Sequence, residues 1–168
     1  NRIHIFPKAS GLVADSLWRL NLSSKLFYPV LTDRRGLSVV WSNDAKFGLA
    51  LQGAARGKGG ELVLVDEDGS QLRTLSRLTL PSKCAFGSRA EGSTESSAPM
   101  LYCAIPRDER AFSTQTLPDA YEKRAVFTSD DFFAIDLEKN SLSPLFTDET
   151  KHLDATDVKV FGDVLYFV

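Results

Sequence analysis

The chain of 168 residues is poor in the residue types that carry chemistry, with only two cysteines and two histidines. Two cysteines without histidine nearby supply half of a zinc shell, so no metal site is expected. His4 lies in a strand-like run and His152 in a polar turn, and no Gly-x-Ser-x-Gly elbow accompanies either. A Ser-His-Asp arrangement therefore has no local motif to rest on. Lys and Arg are scattered at a net charge of −2. A nucleic-acid partner is not expected, because no basic face is present to displace counterions from phosphates. Apolar runs are too short to cross a bilayer, so no membrane contact is expected within the segment, and residue 1 opens on no signal-peptide pattern. Helical periodicity is also lacking; only Ala120–Val126 has the makings of a turn or two.

What the sequence does have is repetition. Apolar residues make up 43% and charged residues 25%, a globular balance. "SLWRLNL" at Ser16–Leu22, "ELVLVDE" at Glu61–Glu67 and "DFFAIDL" at Asp131–Leu137 are versions of one strand. A shift of 45 residues lays Leu17–Asn21 on Leu62–Asp66 and Val39–Ser42 on Cys84–Gly87. A shift of 115 lays Ala14–Leu17 on Ser129–Phe132 and Val30–Asp33 on Leu145–Asp148. Two polar insertions, Arg89–Pro99 and Arg107–Thr128, absorb the extra length before the third copy.

Each unit reads as four short strands, written out most fully as Leu37–Ser42, Phe47–Leu51, Glu61–Val65 and Gln71–Leu75. Alternation, β-branched and aromatic content, and turn residues such as Asn43-Asp44 and Asp68-Gly69 favour strand over helix. A period in the low forties with four strands per unit predicts an all-β fold of β-propeller blades, with a two-sheet β-sandwich as the alternative. The units fall at roughly 1–35, 36–79, 80–150 and 151–168. Ile5-Phe6-Pro7-Lys8 matches Ala104-Ile105-Pro106-Arg107, so the chain opens and closes on second strands, for thirteen strands in all. That predicts a partial propeller of about three blades, an excerpt of a longer chain, since known propellers close with about four to eight.

Leu17–Leu31 followed by "GLSVVWSNDAKFGLAL" resembles the blade of the TolB-like or PD40 (WD40-like) bacterial propellers. Trp41, Ser42, Asp44 and Lys46 match the family's Trp-Ser-Pro-Asp-Gly-Lys box; Asn43 and Ala45 stand where Pro and Gly are usual. "KCAFGS…LYCAIP", "LPDAY" and "SDDFFAIDL" further resemble uncharacterised propellers of the cell envelope. The resemblance covers nearly the whole chain and implies an envelope or extracellular location.

Cys84 and Cys103 are the sharpest local signal. If Val39 pairs with Ala50, the 45-residue shift places Cys84 opposite Cys103 or a neighbour of it, within disulfide reach. A bridge would suit the location that the resemblance implies; two buried free thiols are the alternative. "DEDGS" at Asp66–Ser70 begins like a calcium loop, but Gln71 and Arg77 occupy the places of the required Gly and Glu, leaving a hairpin turn. Asp130-Asp131 and Asp148-Glu149 are acidic pairs that read as solvated turn charge or as a cation rim. "GAARGKGG" at Gly53–Gly60 leads into a strand, not a helix, which fits a loop better than a phosphate cradle. Asn21-Leu22-Ser23 fits a glycosylation sequon.

The insertion Arg107–Thr128 mixes charge with Phe112, Leu117 and Tyr121. It is the candidate contact surface, through Arg107, Phe112, Leu117 and Tyr121, or else a flap that packs over an edge. No cofactor is implied. The expected function is a non-catalytic binding or scaffold module whose partner is another protein or its own copies, as in a self-assembling surface protein. The alternative is a propeller serving a prolyl-oligopeptidase-like hydrolase domain outside this chain.

Overall fold

The computed structural model describes residues 2–54, 58–87 and 100–168. The excursion expected at Ser88–Pro99 and part of the loop Gly53–Gly60 lie outside the described residues. Among the described residues, thirteen strands form four antiparallel sheets. The first sheet holds β1 (Arg2–Ile5), β2 (Ala14–Asn21) and β3 (Phe27–Arg35). The second holds β4 (Ser38–Trp41), β5 (Phe47–Gly53), β6 (Gly60–Asp66) and β7 (Gln71–Thr74). The third holds β8 (Cys84–Gly87), β9 (Met100–Pro106), β10 (Asp130–Asp136) and β11 (Ser141–Phe146). The fourth is the pair β12 (Lys159–Phe161) and β13 (Val164–Tyr166). Strand order follows chain order in every sheet, so each is an up-and-down meander.

The repeated strand falls in equivalent places: β2, β6 and β10 each lie one in from the outer edge of their sheet. Its closing Asn or Asp has a local job. Asn21 Oδ1 accepts the amides of Ser23 and Ser24, Asp66 Oδ1 those of Asp68 and Ser70, and Asp136 Oδ1 those of Glu138 and Lys139. One side chain thus caps the turn into the outer strand in all three units. The sequon and the calcium-like start at Asp66 both sit in these turns.

The near-continuous apolar runs in β5 and β6 arise because both faces of the second sheet are covered. Ala50, Val63 and Val65 meet Leu17, Val30 and Leu31 of the first sheet. Leu49, Leu51, Leu62 and Leu64 meet Cys84, Phe86, Leu101, Cys103 and Ile135 of the third. On the third sheet's far side, Ala85, Ala104 and Phe132 meet Ala155, Val158 and the partly buried Val160 and Leu165. Each fully buried Leu contributes about 1.5–3 kcal/mol. A two-sheet sandwich buries one face of each sheet; here there are four sheets, and the middle two bury both.

The Trp41–Lys46 box is the β4–β5 turn. Ser42 Oγ donates to Asp44 Oδ1 at 2.7 Å and accepts the Phe47 amide at 3.0 Å. Ala45, at φ 56°, takes the left-handed conformation for which glycine is suited. Trp41 lies opposite Gly48, where a Cβ would come within 2.9 Å of the indole ring. The outer edges are blunted as well: Pro29 in β3 and Pro144 in β11 occupy the same repeat position and remove a ladder donor from each.

Candidate functional site

The insertion between β9 and β10 folds as a strap with two short helices, α1 (Glu109–Ser113) and α2 (Asp119–Glu122). Asp108 caps α1 by accepting the Ala111 amide at 2.8 Å. The expected turn at Ala120–Val126 is displaced: α2 starts at Asp119 and has ended by Arg124, whose φ is 54°. Helices this short present no periodic stripe, so the sequence pattern gives no sign of α1.

In an up-and-down chain, consecutive connections alternate between the two ends of the sheets. Among the described residues, the strap meets the loops of its own end. Asp119 accepts the Gly11 amide at 2.6 Å and the Ser10 hydroxyl at 3.3 Å in the β1–β2 loop. The Leu117 carbonyl packs against Gly36, where φ is +63° and a Cβ would lie 2.7 Å from that oxygen. Gln115 O accepts the Gly59 amide at 2.7 Å, and Glu109 accepts the Leu78 amide at 3.1 Å and pairs with Arg77 at 2.8 Å.

Of the four candidate contact residues, two point inward. Phe112 is 2% exposed and Leu117 is fully buried, both in the core between the second and third sheets. Tyr121 packs against that core from its edge. Arg107 is held by Asp131 at 2.9 Å and by the Asp148 carbonyl at 2.5 Å. Other side chains of the strap face solvent, among them Arg110, Lys123 and Phe127, the last 69% exposed.

Beneath the strap lies a cluster that composition and motif leave unannounced. Lys83, at the end of a 3-10 turn (Pro81–Lys83), has no exposed surface. Its Nζ reaches Asp130 Oδ2 at 2.7 Å, Ala155 O at 2.8 Å, and Asp154 Oδ1 and Thr128 Oγ1 at 2.9 Å each. The Tyr121 ring centroid is 4.3 Å from the same nitrogen. Asp154 Oδ1 also accepts the hydroxyls of Tyr121 at 2.6 Å and Thr128 at 2.8 Å. Burial works against the Asp154 charge, yet the hydrogen bonds from Tyr121, Lys83 and Thr128 outweigh it and hold the carboxyl below its ordinary range. Burial first, then the bond to Asp154, pushes the Tyr121 hydroxyl far up. Asp130 Oδ2 accepts the Ala155 amide at 2.9 Å, while its Oδ1 is buried without a partner. One visible signal was Lys83 itself, a lone charge between Pro81 and Cys84 in an apolar run.

The acidic pairs are drawn into such contacts: Asp130 binds Lys83, Asp131 binds Arg107, and Asp148 caps its own turn through Thr150. Among the described residues, no group of three potential ligands is placed to hold a metal ion. His4 stacks on Trp41 with ring centroids 4.3 Å apart. His152 Nδ1 lies 2.9 Å from Ser129 Oγ, on the exposed surface. Cys84 and Cys103 form a disulfide within the core, a bond more typical of extracellular or envelope proteins. No described helix is long and apolar enough to cross a membrane. Compared with family models and with curated proteins, the chain matches none.

Proposed function

We propose that the four sheets are successive blades of a β-propeller, and that the chain is a non-catalytic binding or scaffold module of the cell envelope or extracellular space. The carrying observation is the stacking of up-and-down sheets, each laid face to face on the next through apolar side chains. The inner strands support it: β8 lies against both β4 and β12, whereas β11 on the outside is exposed along its whole length. Blades converging on an axis require that difference. The likeness of Trp41–Lys46 to the PD40 box points the same way, and the disulfide favours an oxidising compartment. In the densest polar cluster, Lys83 and Asp130 are closed to solvent and bonded to each other, which suits a structural role better than turnover.

The partner in this reading is another protein or further copies of the chain, met by the outward side of the strap. Lysine cross-linking on intact cells tests it. Lys8, 80% exposed and paired with Glu122, and Lys123 report the strap end; Lys25, Lys46 and Lys139 lie in turns of the opposite end. Inter-protein links are expected at Lys8 and Lys123. Links confined to Lys25, Lys46 and Lys139 would move the contact face to the other end. Abundant intrachain links without any inter-protein link would overturn the binding reading.

A further inference from the structure

We infer that Lys83 is a latch that makes the strap and the segment 153–158 open and close as one unit. Parts of the chain far from Lys83 in sequence meet at its ammonium group: the strap through Tyr121 of α2 and through Thr128 at its end, the first residue of β10 through Asp130, and the 153–158 segment through Asp154 and Ala155. The segments also hold one another. The Tyr121 hydroxyl donates to Asp154 at 2.6 Å, the Asp130 amide donates to Leu153 O at 2.8 Å, and the Ala155 amide donates to Asp130 Oδ2 at 2.9 Å.

An ammonium has three protons, and here four oxygens compete for them. The Asp154 oxygen that binds it needs the Tyr121 hydroxyl as well. Lifting the strap withdraws Tyr121 and leaves the partly buried Asp154 short of a donor beside the buried Asp130 carboxylate. Displacing residues 153–158 withdraws Asp154 and Ala155, leaving Lys83 and Asp130 as a buried pair with fewer partners. Either movement makes the other cheaper, because buried polar networks lose far more when half satisfied than when whole.

Amide hydrogen exchange on Tyr121→Phe and Asp154→Asn tests the coupling. Strap reporters are the amides of Ala120, Lys123 and Ala125; segment reporters are those of Thr156 and Val158. The amides of Leu49 and Leu64, in β5 and β6, serve as the control. Each variant is expected to speed exchange in both regions by about tenfold, with the control unchanged. If each variant loosens only its own region, the latch is overturned. If the control speeds up by the same factor, the strap and the segment have no unit of their own, which also overturns it. Lys83→Met serves as a third, harsher variant, and its failure to fold leaves the other two decisive.

Discussion

Cys84 and Cys103 face each other directly across β8 and β9, with Cα atoms 4.1 Å apart and the sulfurs bonded. The first hairpin of the second sheet closes through the compact Ser42–Lys46 turn, whereas the corresponding connection here is long, with the two cysteines 19 positions apart in sequence. Ring closure through a long connection costs entropy that a tight turn does not, and the bridge supplies the missing constraint. Replacing both cysteines by serine is expected to lower stability by about 3 kcal/mol, read from the urea midpoint. Intact-mass measurement on native material should show no free thiol before reduction; two alkylatable thiols would remove the chemical argument for an oxidising compartment.

Ala45 holds a left-handed backbone at φ 56° with a Cβ in place. Ala45→Gly is expected to raise stability by about 0.5–1 kcal/mol, since relief of strain exceeds the added freedom of the unfolded chain. Chemical denaturation checks it. An unchanged or lower midpoint would show that the turn carries no strain there.

Leu117 ties the strap to the core between the second and third sheets. Leu117→Ala is expected to cost about 2–5 kcal/mol, the range for a buried Leu that leaves a cavity. Deleting Thr114–Lys123 removes this anchor along with Tyr121, so the deletion should destabilise the fold rather than merely trim a surface loop. Thermal unfolding of both variants distinguishes an integral strap from a dispensable one.

The Asp154 carboxyl gives a pH dependence with a definite sign. Its folded-state pKa is depressed, so the folded protein takes up this proton less readily than the unfolded chain. The stability it contributes is fully present above the ordinary carboxylate range and is lost as pH falls below about 4. Wild type should therefore lose stability more steeply than Asp154→Asn between about pH 4 and pH 2. Equal slopes in parallel acid titrations, followed by circular dichroism, would show that the carboxyl is not held in this way.

Pro144 guards the outer edge of the third sheet, where Leu145 and Phe146 are already exposed. Pro144→Val restores a ladder donor beside these apolar side chains, and concentration-dependent association is expected by light scattering. Persistent monodispersity would assign the protection to something other than the proline.

The sequence by itself determined the strands and their grouping. Strand signals are local: alternation, turn residues and an Asp that caps its own turn all lie within a few residues, and repetition at shifts of 45 and 115 multiplies them. It also brought Cys84 and Cys103 to opposing strands, because the Val39–Ala50 pairing that the hairpin implies is the one observed, and the repeat carries it over. The strap was half legible. Its apolar content was plain, but whether Phe112 and Leu117 face a partner or the core depends on Gly36, Gly59 and the loops they belong to, far away in the chain. Of the Lys83 cluster only the lone lysine in an apolar run was legible, and its partners were not. Lys83, Thr128, Asp130 and Asp154 are ordinary residues separated by up to 71 positions, and no periodicity links them. Only the folded chain, which brings the strap, Asp130 and residues 153–158 together around it, takes that ammonium out of water, and a buried charge must then find every partner it has within reach.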